Sequence, residues 1–509
     1  MIIRLNHLKS LALLYAIIPI LIFIMGWLKI IIAIPLFTIL IYGVYHCKKD
    51  EDANKILTGY CFHVTKSQLF CLIGVALLWS FFAGQGGFFY QSADHHYRNA
   101  VLRDLITYSW PVLFPQFDTA MVYYIGHWLL PALAGKFFLF VFGTAAGWLF
   151  GNIFLYLWTS LGVFITTLLL IYTVKAYSLR KTILALLILI FFSGLDIAGI
   201  MWTNFTNTGP ISLNSHIEWW AWFYQFSSNS TLLFWVFNQT IVPWIMVLLF
   251  INEQNVRNYI LIGSCVLPFA PMPFIGLLPF LFVSGGKYLV NSIKNNNFKS
   301  FIADVFSPQN CTALFSILPV FLLYFAANNS SSAYGFRFNS DYIIKSPGLL
   351  FLLIFWSLEC GIYLLFIFSA NKKNYIYYIT GIALFLIPVF RIGAGNDFAM
   401  RASIPALFIL MIMIIQFLNR TISYHQKIRR LSISVPAFVL IIALGVGAFT
   451  PLTEFRRAIA TVIQQGKMNV TADNIKTFSN KNPYHNEALV NNFVATTPNE
   501  KFFFKYLAK

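Results

Sequence analysis

The chain has 509 residues, of which 59% are hydrophobic and 10% charged, with a mean hydropathy of +0.72. This composition excludes a soluble globular or a disordered protein and defines a multi-pass membrane protein, whose fold is set by lipid. The net charge of +18 reads as a topology signal rather than nucleic-acid binding, because basic residues gather in short loops on one side, where they also favour anionic lipid.

Apolar runs able to cross ~30 Å of hydrocarbon, about 17 to 25 residues each, lie near 11–26, 29–45, 68–86, 152–174, 182–201 and 231–251. Others lie near 259–270, 273–290, 311–327, 347–369, 374–390, 403–419 and 432–449. The expected fold is an all-α polytopic membrane protein with about thirteen transmembrane helices. The first run does not read as a cleavable signal peptide, since a second follows almost at once with no small-residue cleavage site. The run at 259–270 is short, and "LPFAPMPF" (Leu267 to Phe274) breaks the chain with three prolines. That pair forms either a full hairpin or a re-entrant one, with both ends on one side.

Lys48, Lys49, Lys175, Arg180, Lys181, Lys372, Lys373, Arg420, Lys427, Arg429 and Arg430 then occupy inner loops, which puts the N-terminus inside and the C-terminus outside. The expected site of residence is the cell inner (plasma) membrane. The chain divides into an N-terminal hairpin and cytoplasmic loop (1–67), a core (68–251) with outer loops 87–151 and 202–230, C-terminal helices (252–449) and an extracytoplasmic tail (450–509). The six cysteines fall in inner loops or membrane helices, so disulfides are not expected, and their spacing suggests no zinc or iron–sulfur site. The inner loops carry no nucleotide-binding fingerprint; the longest, 291–310, reads as an amphipathic helix on the inner leaflet. No internal repeat suggests an inverted-repeat transporter.

Polar chemistry concentrates in the outer segments. In "FYQSADHHYRNAVLRDLITYSWPV" (Phe89 to Val112), the spacing predicts an interfacial helix with Ala100, Val101, Leu105 and Tyr108 on its apolar face and Asp94 and Arg98 four apart on the polar one. Pro111 ends it. Asp94 can cap the helix or stand at the mouth of a cavity, Asp104 beside Arg103 reads as a solvated charge, and His95 and His96 read as headgroup-level polar residues or metal ligands.

Asp196 lies near the outer end of the 182–201 run, where an ionisable residue usually faces a cavity or partner. Glu218 sits among Trp219, Trp220, Trp222, Phe223 and Tyr224, an aromatic belt or a platform for sugar rings or isoprene units. In "FRIGAGNDFAMRASIP" (Phe390 to Pro405), glycines allow a turn that brings Arg391, Asp397 and Arg401 together, as a phosphate site or as a helix-starting ion pair. Glu359 is a lone mid-helix acid, either protonated or paired.

An early outer loop carrying an acid, an interfacial helix, the Tyr123, Tyr124, Pro131 segment returning to the membrane and a further outer acid resemble the GT-C superfamily of integral-membrane glycosyltransferases. The architectural match covers residues 68 to 251. In size, helix number and basic outer tail the chain is similar to bacterial enzymes that glucosylate O-antigen. The resemblance implies a polyprenyl-phosphate-linked sugar as donor, a saccharide acceptor and an outward-facing active site. Asp94 would be the general base, and Arg391 and Arg401, with Arg98 or Arg103, would stabilise the leaving phosphate. Asp196 and Glu218 would bind sugar hydroxyls or, in members that use one, a divalent cation. The chain departs from the family in two extra helices before the acid, in His-His after it and in having no large soluble domain. Alternative functions are an O-antigen polymerase or ligase, and a flippase or transporter for lipid-linked saccharide.

Overall fold

A computed structural model describes residues 2–53, 61–206, 216–221, 224–253, 255–328, 334–336, 348–393, 397–421, 423–425, 430–432, 434–466, 468, 478 and 490–509. Helices dominate, and the protein is an all-α multi-pass membrane protein. All thirteen expected runs coincide with helices, but they differ in length. Among the described residues nine helices are long and apolar enough to cross a membrane, or ten when one sharply bent pair is taken as a single span.

The differences have local causes. The 231–251 run is that bent pair, turning by 100° between Asn229–Gln239 and Ile241–Ile251. Pro243 has no N–H to give and is best tolerated in the first turn of a helix, where it stands in Ile241–Ile251. The 182–201 run breaks at 192–195 and resumes as Asp196–Phe205. Val256–Val266 covers 11 residues, roughly 16 Å of helix or half the hydrocarbon depth. It is shorter than the Pro271–Lys294 helix that follows it. Its tip at Phe269 and Ala270 is fully buried, and Pro268 O accepts a hydrogen bond from Gly126 N, which keeps this irregular backbone away from lipid. The outer loop expected at 87–151 holds more than one interfacial helix: Gly126–Phe142 is a further apolar helix, packed antiparallel against Thr144–Thr173 across Gly143.

Among the described residues four small antiparallel sheets knit the loops, each joining segments expected on the same side. Ile2–Arg4 pairs with Cys61–His63 and Ser423–His425 with Arg430–Ser432, both expected inside. Tyr334–Phe336 pairs with Phe390–Ile392, both expected outside. Val494–Thr496 adds to the sheet of Leu113–Phe114 and Thr119–Met121, and Ala508 bridges to Leu28. The first residues and the last therefore lie at opposite ends of the Leu5–Trp27 helix.

Between these ends the interior is solid. Every residue from Ile241 to Phe250 is buried, and Trp244 lies between Trp79 and Phe408 with ring centroids 5.8 and 5.4 Å away. The expected amphipathic helix of the 291–310 loop is Phe298–Val305. Phe298 and Ile302 are exposed, while Asp304 turns inward to Arg257 and Tyr288, each at 2.9 Å.

Candidate functional site

The Phe89 to Val112 stretch forms the helix His95–Thr107, with Ala100, Val101 and Leu105 fully buried as its spacing requires. Asp94 precedes it but does not cap it. Its Oδ2 instead accepts a 3.0 Å charged hydrogen bond from Arg98 Nη2, one helical turn on. Arg98 is 4% exposed, with its guanidinium 6.0 Å from the centre of the Phe237 ring. Asp94 remains 44% exposed at its side chain, so the acid faces open space while its cation stays inside.

That space is a cavity of about 160 Å³ whose wall includes Asp94, His216, Trp219, Trp235, Asp397 and Arg401. Four separate segments meet here. Arg401 Nη1 donates to Asp397 Oδ2 at 2.9 Å, repeating the arrangement of Asp94 and Arg98. Two acids, each neutralised four residues later by an arginine, thus stand on one wall. Asp397 and Arg401 form the ion pair of a helix start and also line the cavity, so both readings of their loop apply.

Behind the wall lies a set of buried carboxyls. Glu218 accepts from Ser227 Oγ at 2.6 Å, Gln225 Nε2 at 3.0 Å and Ser228 N at 2.9 Å, and Gln225 and Ser227 themselves line the cavity. Burial, with the nearby Asp196 charge, raises Glu218 to about 7 against the pull of these donors. Asp196 Oδ2 accepts from Ser193 at 2.9 Å and Thr450 at 2.7 Å. Glu359 is 1% exposed, and Trp220 Nε1 donates to its Oε1 at 2.9 Å. Glu359 lies in a π-bulge at Ser357–Gly361, and Gly194 permits the approach: a Cβ there would meet Glu359 Oε2 at 1.9 Å.

Several expectations change at this level. Arg103 does not reach the cavity; its guanidinium lies 5.8 Å from the Trp148 ring centre on another side of its helix. Arg391 sits in the Phe390–Ile392 strand, off the cavity wall. Asp104 is not a solvated charge: it is fully buried and accepts a 2.9 Å hydrogen bond from Phe478 N, so it anchors the tail. Of the aromatic platform, only Trp219 faces the cavity, at 54% exposure, while Trp220 is buried against Phe351 and Phe355 and Trp222 lies outside the described residues.

His95 is buried, with Nδ1 3.0 Å from Ser92 Oγ and its ring stacked on Phe237. Burial, then the Arg98 charge, hold it well below the usual imidazole value, so it is a neutral packing residue. Among the described residues no three His, Cys, Asp or Glu side chains converge as metal ligands, and His95 and His96 gain none.

The most informative additions come from the tail. Glu454, on the helix Phe449–Gln465, is 1% exposed and accepts from Trp235 Nε1 at 2.9 Å and Arg457 Nη1 at 2.9 Å. His216 Nδ1 lies 3.4 Å from its Oε1. A signal existed: Thr450, Glu454 and Ala458 recur every fourth residue and form the buried stripe of this helix, so one acid stands on an otherwise uncharged face.

No protein-family model, curated protein or solved structure matches the chain.

Proposed function

We propose that the protein is a membrane glycosyltransferase that moves a sugar from a polyprenyl-phosphate donor to a cell-surface saccharide, at the end of the bundle that carries the cavity, facing outward. The observation that carries this reading is the meeting of Asp94, His216, Trp219 and Arg401 on one cavity wall. An exposed indole offers a stacking face for a sugar ring, and Arg401 offers a planar donor fork for a phosphate. Asp94, expected as the general base, Asp397 and His216 are the wall groups that can take the acceptor's proton. Glu218 and the Ser227 and Gln225 side chains it holds provide hydrogen-bonding partners for sugar hydroxyls. The wall acids are paired with arginines, and Glu218 with hydroxyl and amide donors.

Asp196 and Glu359, both buried on apolar helices, favour a second reading as a transporter of lipid-linked saccharide. The Trp79, Trp244 and Phe408 stack through the bundle's middle weighs against a through-path. A polymerase or ligase would use the same arginines with an oligosaccharide-diphospholipid.

The test is mass spectrometry of surface polysaccharide from cells expressing the wild type or Asp94→Asn. The wild type adds a single sugar per acceptor repeat and the variant modifies far fewer repeats, although it still inserts. Chain lengthening in place of single-sugar addition indicates the polymerase or ligase. Movement of lipid-linked sugar across vesicles without acceptor indicates the transporter.

A further inference from the structure

The cavity wall carries three proton acceptors, Asp94, Asp397 and His216, and their surroundings differ: Asp397 is paired with Arg401 at 2.9 Å, as Asp94 is with Arg98. Asp94 is committed to Arg98 at 3.0 Å, and accepting a proton would break that ion pair and strand a guanidinium that is 4% exposed. His216 has no such commitment. Its Nδ1 is turned to Glu454, 3.4 Å away, which leaves Nε2 as the nitrogen available to the cavity it lines. Its ring is held at 5.2 Å on Trp235, 20° from parallel, with Trp219 also 5.2 Å away. Glu454 is itself fixed by Trp235 and Arg457. An imidazole oriented by a buried, hydrogen-bonded carboxylate is the arrangement that general-base catalysis uses.

We infer that His216, positioned by Glu454 of the tail helix, takes the proton of the acceptor hydroxyl, and that Asp94 binds that hydroxyl's neighbour and holds Arg98. This rests on the transferase reading above and names its base. The acceptor oxygen forms a bond to the anomeric carbon while the bond from that carbon to the phosphate oxygen breaks. The electron pair stays on the lipid phosphate, beside Arg401. The hydroxyl proton passes to Nε2 of neutral His216, whose new charge Glu454 stabilises. The tail helix is then part of the active site, since without it the imidazole has no orienting partner.

The charged groups facing His216 are Glu454 and Arg457 from the tail helix, Asp196 from Asp196–Phe205 and Asp94 from the first outer loop, with Asp397 and Arg401 on the same cavity wall. Burial pushes the imidazole below its ordinary value, against the pull of Glu454, which favours the neutral form that can accept a proton.

The experiment uses right-side-out vesicles from cells that express the full chain and hold their own lipid-linked sugars, with the host's surface polysaccharide added as acceptor. Transfer is measured from about pH 4 to pH 8, a range that spans imidazole titration, and divided by the amount of folded protein. Expected for His216→Gln is a loss of about 100-fold or more together with loss of the wild-type acid limb. Glu454→Gln, which keeps the acceptor for Trp235, moves that limb to lower pH because the imidazole loses its anionic partner. Asp94→Asn lowers the rate but leaves the limb in place.

A limb that vanishes in Asp94→Asn and persists in His216→Gln overturns the assignment, as does a flat wild-type profile. If His216→Gln does not fold, the limb shift of Glu454→Gln decides, and an unmoved limb overturns it. Wild-type vesicles that transfer no sugar overturn the transferase reading itself, an outcome distinct from active wild type with an unaffected His216 variant.

Discussion

Thr450 Oγ1 donates a 2.7 Å hydrogen bond to Asp196 Oδ2, tying the first turn of the tail helix to a carboxyl buried beneath the cavity. Ser193 supplies the other donor to the same oxygen. Thr450→Val preserves the shape and removes one donor to a buried acid, so it destabilises the protein by about 1–2 kcal/mol. Chemical denaturation in mild detergent measures this, and unchanged stability would remove the tail helix from the protein's cooperative core.

Gly194 is required by contact rather than by backbone angle. A Cβ at this position would come within 1.9 Å of Glu359 Oε2 and 2.8 Å of the Glu359 Cα, which is backbone and does not yield easily. Gly194→Ala is expected to cost about 1–3 kcal/mol through overpacking. Gly74→Ala, where nothing lies within 4 Å, should be neutral or slightly stabilising in its helix. Thermal melting of the two variants by size-exclusion chromatography separates the cases.

Stability should fall as pH rises toward neutrality. Burial raises Asp104 from 3.8 to about 7, against the Phe478 N–H and the Arg103 charge, and Glu218 moves from 4.5 to about 7. In that window the folded chain keeps protons that the unfolded chain has released. The contribution is full below the ordinary carboxyl values and is lost as pH rises through about 7. A tenfold difference in proton affinity between the folded and unfolded chain is worth about 1.4 kcal/mol. Melting temperatures recorded from about pH 4 to pH 8 should decline across the window, and Asp104→Asn, which still accepts from Phe478 N, should flatten the curve.

Arginine identity matters at the cavity and not elsewhere on the same face. Arg401→Ala should lower sugar transfer by about 100-fold by removing charge stabilisation at the leaving phosphate. Arg401→Lys should recover only part of that, since an ammonium lacks the planar fork. Arg103→Ala, on the Trp148 side, should transfer sugar at the wild-type rate. Equal losses in Arg103→Ala and Arg401→Ala would show that the phosphate does not sit at the cavity.

How much was legible in the chain divides along physical lines. The apolar runs located every helix they were read for, because a membrane demands long stretches of one chemistry that composition reveals directly. The same runs hid the bend at Thr240, the break at 192–195 and the half-length arm at Val256–Val266, since hydropathy does not register where a backbone turns inside protein. The Gly126–Phe142 helix lay in a stretch read as loop, although its 17 residues reach the lower end of the spanning range.

For the site, the local ion pairs were readable. Asp94 with Arg98 and Asp397 with Arg401 are four residues apart, and a helix brings such pairs together wherever it lies. Burial was not readable from spacing: Asp104 and Trp220 look like surface residues until Phe478 and Glu359 are seen to bond them. The sequence by itself determined a helical membrane protein and its two short-range acid–arginine pairs. Only the tertiary structure decided that these pairs face one cavity and that His216 meets Glu454 there. Helical neighbours follow from a fixed repeat of 3.6 residues, whereas contacts between distant segments depend on how whole helices pack.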